Sequence, residues 1–249
     1  MIELTRNGAV EILRMTHGKA NALDLELCEA LTRQLTESAR SDARALVLVG
    51  QGRMFSAGLD LVRLLDGGAS YVRTFLPVFN HTFETLFAFP KPVVAAVNGH
   101  AIAGGCVMAC AADYRVMARE PGRIGIPELL VGVPFPVVPL EIVRFATPPQ
   151  FLQSLTYRGT TFAADEALEH GIVDAVSAPD RLLDDAIAMA EAFAALPTTS
   201  FTLTKRVMRE PALQRIRAGA ALDAEVREAW ASDETLDAIR AYVARTLKR

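Results

Sequence analysis

Three glycine-bearing turns carry the residues best suited to chemistry: "FSAGLDL" (residues 55–61), "NGHAIAGGC" (98–106) and "GIPELLVGVPFP" (125–136). Gly104 and Gly105 open an apolar helix, where a ligand oxygen can approach unpaired backbone N–H groups with the positive end of the helix dipole behind them. The same two glycines would equally permit tight helix–strand packing, and their spacing fits neither the phosphate-binding P-loop nor the dinucleotide fingerprint. Asp60 reads as a cap for the helix after it or as a residue orienting its loop. Glu128 follows Pro127 at a helix start, where the dipole favours a carboxylate whatever its role. His17, His81, His100 and His170 have no ligand spacing, so no metal is expected, and Ser56 belongs to no legible Ser-His-Asp set.

The elements that must position these turns follow from periodicity. Asn7-Gly8, between "IELT" and "VEILRM", predicts a hairpin with a positive φ in its turn. A helix is expected after Asp24 as N-cap, with Leu25, Cys28, Leu31 and Leu35 on its buried face. "ARALVLVG" and "VVAAVNG" are apolar runs suited to strands covered on both sides, and "DYRVMA" is a third strand. "YVRTFLPVFNHTFETLFAF" has a helical period with a kink expected at Pro77, preceded by a mobile Gly67-Gly68 link. This βαβ rhythm predicts an α/β core, and from about Pro148 onward only helical segments are expected.

Composition narrows the function classes. A net charge of −3 gives no basic excess for nucleic acid, and 51% hydrophobic with 22% charged residues is ordinary for a globular chain. The N-terminus alternates charged and apolar residues unlike a signal peptide, and no apolar run approaches roughly 18 residues, so a cytoplasmic protein with no membrane association is expected. Cys28, Cys106 and Cys110 lack disulfide or zinc spacing and read as buried free thiols.

Six stretches, "GKANALD", "FSAGLDL", "AAVNGHAIAGGC", "ADYRVMA", "IGIPELLVG" and "ADEALEHGIVDAV", occur in an order that resembles the enoyl-CoA hydratase/isomerase (crotonase) superfamily over most of the chain. The resemblance implies an α/β, crotonase-like fold of repeated ββα units with a helical C-terminal trimerisation region. It divides the chain into a core at residues 1–190, carrying the CoA and oxyanion-hole site, and a trimerisation region at 191–249. It further implies acyl-CoA thioester substrates, a homotrimer or hexamer, and no cofactor besides the coenzyme A of the substrate. By motif, the thioester oxygen falls to the N–H groups of Leu59 and Gly104. Contacts to the CoA and acyl parts fall to Lys19, Ala20, Ala22, Ala57, Asp60, Leu61, Gly105, Val107 and Pro136. Lys205 and Arg206 carry charges suited to CoA phosphates but are expected on a solvated helix face.

Removing a proton beside a thioester carbonyl puts negative charge on its oxygen, and preorganised donors stabilise that enolate more than the ground state. A base must still move the proton. Superfamily hydratases that use two glutamates place one at the position of Val107 and the other at Glu128, so this chain keeps one carboxylate. A single base suffices to shift a double bond, whereas syn addition of water is most easily run with two acidic groups. Glu128 would serve if Ile126, Leu129, Val131 and Val133 raise its pKa. Pro136 stands where dienoyl-CoA isomerases carry a further aspartate, and the "PFPVV" that follows Glu128 resembles single-glutamate Δ3,Δ2-enoyl-CoA isomerases.

Overall fold

Two strands followed by a helix recur four times in the computed structural model, which describes residues 1–246. The first unit is β1 (Ile2–Asn7), β2 (Val10–Met15) and α1 (Leu25–Arg40), and the second is β3 (Ala45–Val49), β4 (Met54–Ser56) and α2 (Leu61–Phe87). The third is β5 (Val93–Val97), β6 (His100–Ile102) and α3 (Gly104–Ala111), and the fourth is β7 (Tyr114–Ala118), β8 (Ile124–Gly125) and α4 (Glu128–Val131). There follow α5 (Val137–Ala146), α6 (Pro149–Arg158), β9 (Thr161–Phe162), α7 (Ala164–Glu169) and β10 (Ala175–Ser177). The chain closes with α8 (Leu182–Ala194), α9 (Thr198–Ala218), α10 (Ala220–Trp230) and α11 (Asp233–Thr246).

From the second unit on, the first strand of each unit enters one sheet and the second strand enters another. The larger sheet has the order β1-β2-β3-β5-β7-β10 and is parallel except for the β1–β2 hairpin, whose turn holds Gly8 at φ 55°. The smaller has the order β4-β6-β8-β9, with β4, β6 and β8 parallel and β9 antiparallel. β3 and β5 in the middle of the large sheet are buried on both faces, their alternating side chains entering two different apolar clusters, while edge strand β1 is largely exposed. Ala45, Val47 and Val49 of β3 pack with α8 through Ala186 and Ala190, while Leu46 and Leu48 join the main core with α1 and α2.

α1 starts as its sequence predicts: Asp24 accepts the Leu27 N–H at 2.8 Å, and Cys28, Leu31 and Leu35 are buried. Leu25, in the first turn, is only half-buried, and Leu27 takes its place in the core. The break in α2 is at Gly68, whose φ of 56° and ψ of −156° are barred to most side chains, and not at Pro77, which is exposed within the helix. β4, β6 and β8 are too short to show a period of two. Two further strands lie beyond Pro148 where only helices were expected. One of them, β10, completes the large sheet beside β7, and Asp174 just before it accepts from Arg115 N at 2.8 Å, Nε at 2.8 Å and Nη2 at 2.9 Å. Among the described residues no single helix is long and apolar enough to cross a membrane.

Candidate active site

The small sheet brings the three chemical turns together. β4, β6 and β8 run parallel with β6 in the middle, and the chain leaving their carboxyl ends reaches Leu59, Gly104 and Glu128 respectively. Gly104 therefore follows the strand that lies between those leading to Leu59 and to Glu128, and a Cβ on it would come 3.4 Å from the Leu59 side chain. His100 lies at the opposite, amino end of β6, away from this edge.

Leu59 owes its free N–H to the residues beside it. Leu23 N donates to Gly58 O at 2.7 Å and Asp60 N donates to Leu23 O at 3.0 Å, a parallel bridge that uses the neighbours of Leu59 and leaves its own N–H with no acceptor among the described residues. Gly58 has φ 82°, and a Cβ there would fall 2.7 Å from Ile102 O and 3.0 Å from the Gly104 nitrogen, so the two turns touch backbone to backbone. Gly104 is the first residue of α3, and its N–H likewise has no acceptor among the described residues. Ala103, which delivers it, is a non-glycine residue at φ 52° and ψ −122°, a strained conformation held by Ala103 N donating to Gly125 O at 2.8 Å. Gly105 is packed against β4, for a Cβ there would meet Ser56 O at 2.2 Å.

Ser56 and Asn21, neither of them assigned a site role from sequence, staple the preceding loop to this turn. Buried Ser56 Oγ donates to Asn21 O at 2.7 Å and accepts the Gly58 N–H at 3.2 Å, while Asn21 Nδ2 donates to Phe55 O at 3.1 Å. Asn21 takes φ 46°, a conformation in which asparagine is enriched, and that preference was the available sequence signal. Ala57 N donates to Ala20 O at 3.0 Å, so exposed Lys19 and half-buried Ala20, Ala22 and Ala57 share one rim beside Leu59. Asp60 caps α2 by accepting the Arg63 N–H at 2.9 Å, and half-buried Leu61 begins that helix.

Glu128 is 6% exposed, and its Oε2 has no partner among the described residues. Burial pushes its pKa up to about 8, opposed only by a hydrogen bond from its own backbone, and no charged side chain contributes. Ile126, Val131 and Val133 are buried beside it in the chain, but Leu129 is 42% exposed and faces away. The short turn α4 is clamped on two sides: a Cβ on Gly132 would meet Ala238 of α11 at 2.7 Å, and one on Gly159 would meet Leu130 at 2.8 Å. Val107 is fully buried within α3. Pro136 caps α5 and walls a cavity of about 290 Å³ together with Leu76, Pro77, Asn80, Val137 and Val226. Asp223, unremarked in the sequence, fixes that wall by accepting from Val137 N at 2.8 Å and Asn80 Nδ2 at 2.7 Å.

Lys205 corrects a sequence expectation. It is 6% exposed and paired with Asp113 at 2.6 Å, and burial lowers its pKa to about 8, so it is no part of a solvated face; Arg206 beside it is exposed.

The described residues thus offer two unpaired N–H groups, at Leu59 and Gly104, and one buried carboxyl with an unpaired oxygen, Glu128, on turns that follow adjacent strands. Residues 5–246 match the family model described as enoyl-CoA hydratase/isomerase. The chain belongs to the enoyl-CoA hydratase/isomerase family. Among its relatives in that family, a putative enoyl-CoA hydratase of Thermus thermophilus is 32% identical over 212 residues, covering 84% of this chain and 83% of that one. A carnitinyl-CoA dehydratase of Salmonella arizonae is 34% identical over 189 residues, covering 74% and 71%. The solved apo structure of a Mycobacterium tuberculosis protein, called an enoyl-CoA isomerase there and a probable enoyl-CoA hydratase in a second solved structure, superposes with a TM-score of 0.83 at 32% identity, covering 90% of this chain and 97% of that one. Human mitochondrial Δ3,Δ2-enoyl-CoA isomerase shares the fold at a TM-score of 0.94 and 24% identity, covering 99% and 98%. The crotonase fold with its helical C-terminal region is thus the fold of this chain, and the protein is an enzyme of the enoyl-CoA hydratase/isomerase family.

Proposed function

We propose that this family member shifts the double bond of a 3-enoyl-CoA into conjugation with its thioester, giving the 2-enoyl-CoA. The N–H groups of Leu59 and Gly104 hold the thioester oxygen while the Glu128 carboxylate removes a proton from C2. The electron pair moves into the carbonyl, and the resulting dienolate rests its charge on the held oxygen. Protonated Glu128 then returns the proton to C4, so no atom is gained or lost. The chemistry so written calls on no metal or redox cofactor, only on the coenzyme A of the substrate.

One observation carries this reading: Glu128, which follows β8 of the small sheet, is a buried carboxyl with an unpaired oxygen and no charged partner, and the position where two-glutamate hydratases hold the other is fully buried Val107. In this reading Lys19, Ala20, Ala22 and Ala57, with Asp60 and Leu61, flank the CoA part, and Gly105, Val107 and Pro136 back the acyl part. The active form is a homotrimer or hexamer, a reading supported by the exposed apolar side chains Leu203, Val207 and Met208 on α9.

Incubation with a 3-enoyl-CoA should produce the ultraviolet absorbance of the conjugated thioester. Glu128→Gln should lower kcat about a thousandfold, a loss typical of removing a general base. Because the base acts ionised, kcat/KM should rise with pH through about 8. Absence of turnover, or turnover indifferent to Glu128→Gln, removes the assignment. Hydration of crotonyl-CoA outpacing isomerisation replaces it with the activity named for the Thermus thermophilus relative. Binding without proton exchange at C2 in deuterated water marks a non-catalytic acyl-CoA-binding protein.

A further inference from the structure

α3 is an eight-residue helix, GGCVMACA, every residue of which is buried, with no charged side chain in its first or last turn. Its last carbonyls therefore need partners from elsewhere in the chain. Arg209 of α9 supplies them. Its Nη1 donates to Ala111 O at 2.9 Å and to Phe87 O, and its Nη2 donates to Ala112 O at 3.1 Å and to Asp113 Oδ1 at 2.7 Å. The residue is 3% exposed, with its guanidinium 4.4 Å from the Phe87 ring centre and 5.6 Å from that of Phe145.

The same face of α9 grips the bend that leads into β5. Thr202 Oγ1 donates to Pro90 O at 2.9 Å, Lys205 Nζ donates to Lys91 O at 2.9 Å, and positions 202, 205 and 209 share one side of a helix by their spacing. Asp113, held by Lys205 and Arg209, also accepts the Val93 N–H at 2.8 Å, which ties the end of α3 to the start of β5.

We propose that Arg209 is a positioning residue for the oxyanion hole. By holding the Ala111 and Ala112 carbonyls it sets where α3 presents the Gly104 N–H at its other end, about 12 Å away at 1.5 Å per residue. Its cation at the negative end of the helix also reinforces the dipole directed at the bound oxygen. A short buried helix moves as a unit, and a misplacement of roughly 1 Å in a catalytic group can cost a factor of about a hundred. The Leu59 donor is also held by the Leu23 bridge, which Arg209 does not touch, so loss of Arg209 removes only part of the stabilisation. The inference rests on the reading that Gly104 N–H binds the thioester oxygen.

Arg209→Met and Arg209→Lys test it, with folding checked by circular dichroism and thermal unfolding. Each is assayed for isomerisation and for the infrared carbonyl band of carbonyl-carbon-13 hexanoyl-CoA when bound. Arg209→Met should lower kcat about tenfold with KM within about twofold, the signature of an interaction lost from the transition state. The shift of the carbonyl band to lower frequency on binding should shrink in parallel, and the pH midpoint set by Glu128 should stay in place. Arg209→Lys keeps the charge but not the planar fan of donors, so it should fall between the two. Should Arg209→Met not fold, Arg209→Lys decides. A folded variant with native kcat and native band overturns the proposal, as does a kcat loss that matches the unfolded fraction with the band unchanged. No band shift in the native protein instead overturns the oxyanion-hole reading, and this inference falls with it.

Discussion

At the scale of residues, the cost of a buried carboxyl is the most direct handle on Glu128. With one oxygen unpaired and its surroundings apolar, the folded protein holds a proton there that the unfolded chain has released. Between the ordinary value of 4.5 and the folded value of about 8, the folded state binds more protons, so its stability falls as pH rises through that window. At 1.36 kcal/mol per unit the full cost, reached above the folded value, is about 5 kcal/mol. Glu128→Gln is neutral throughout. It should match the native protein only at about pH 4, below the unfolded value, and become progressively more stable than it up to about pH 9, read as urea midpoints at each pH. Midpoints that stay parallel over this range would mean that the carboxyl is not desolvated.

Among the elements, three strands of two or three residues do the positioning. Their brevity hides them from periodicity, yet each ends in a turn whose glycine is legible as such. What the turns have in common is close backbone approach, at Gly58 against Gly104 and at Gly105 against Ser56. Ala103 is the strained joint between β6 and α3. A non-glycine residue in such a conformation costs roughly 1–3 kcal/mol, and glycine would release that cost while adding some unfolded-chain entropy. Ala103→Gly should therefore raise stability by about 1 kcal/mol, seen as a higher urea midpoint at unchanged slope. A lower midpoint would show that Ala103 is not strained.

For the whole molecule, α9 serves two ends. Its inner face carries Thr202, Lys205 and Arg209 onto the core, and its outer face exposes Leu203, Val207 and Met208, with Val207 72% exposed. If that outer face joins copies of the chain, light scattering should give the mass of a trimer or hexamer. Val207→Glu, which sets a charge on an apolar contact, should shift the mass toward the monomer. A monomeric native protein, or an assembly indifferent to this substitution, would reject that interface. The same helix shows why Lys205 was misjudged. Its neighbours in sequence are polar, and only packing against Asp113 and the Lys91 carbonyl makes it an interior residue.

By itself the sequence determined the α/β core, the hairpin at Asn7-Gly8 and the Asp24 cap, because those features are written in local pattern and turn chemistry, while Leu59, Gly104 and Glu128 were singled out by the resemblance of their motifs to the family. The same resemblance sets Val107 at the position where two-glutamate hydratases of the family carry an acid. Only the tertiary structure decided that β4, β6 and β8 lie side by side and aim those residues at one edge, that Leu129 turns away while Glu128 stays buried, and that Arg209 reaches the carbonyls of α3. The physical reason is the same in each case. Burial, an unpaired N–H and a desolvated carboxyl are properties of what surrounds a group, and most of those surroundings come from parts of the chain distant in sequence.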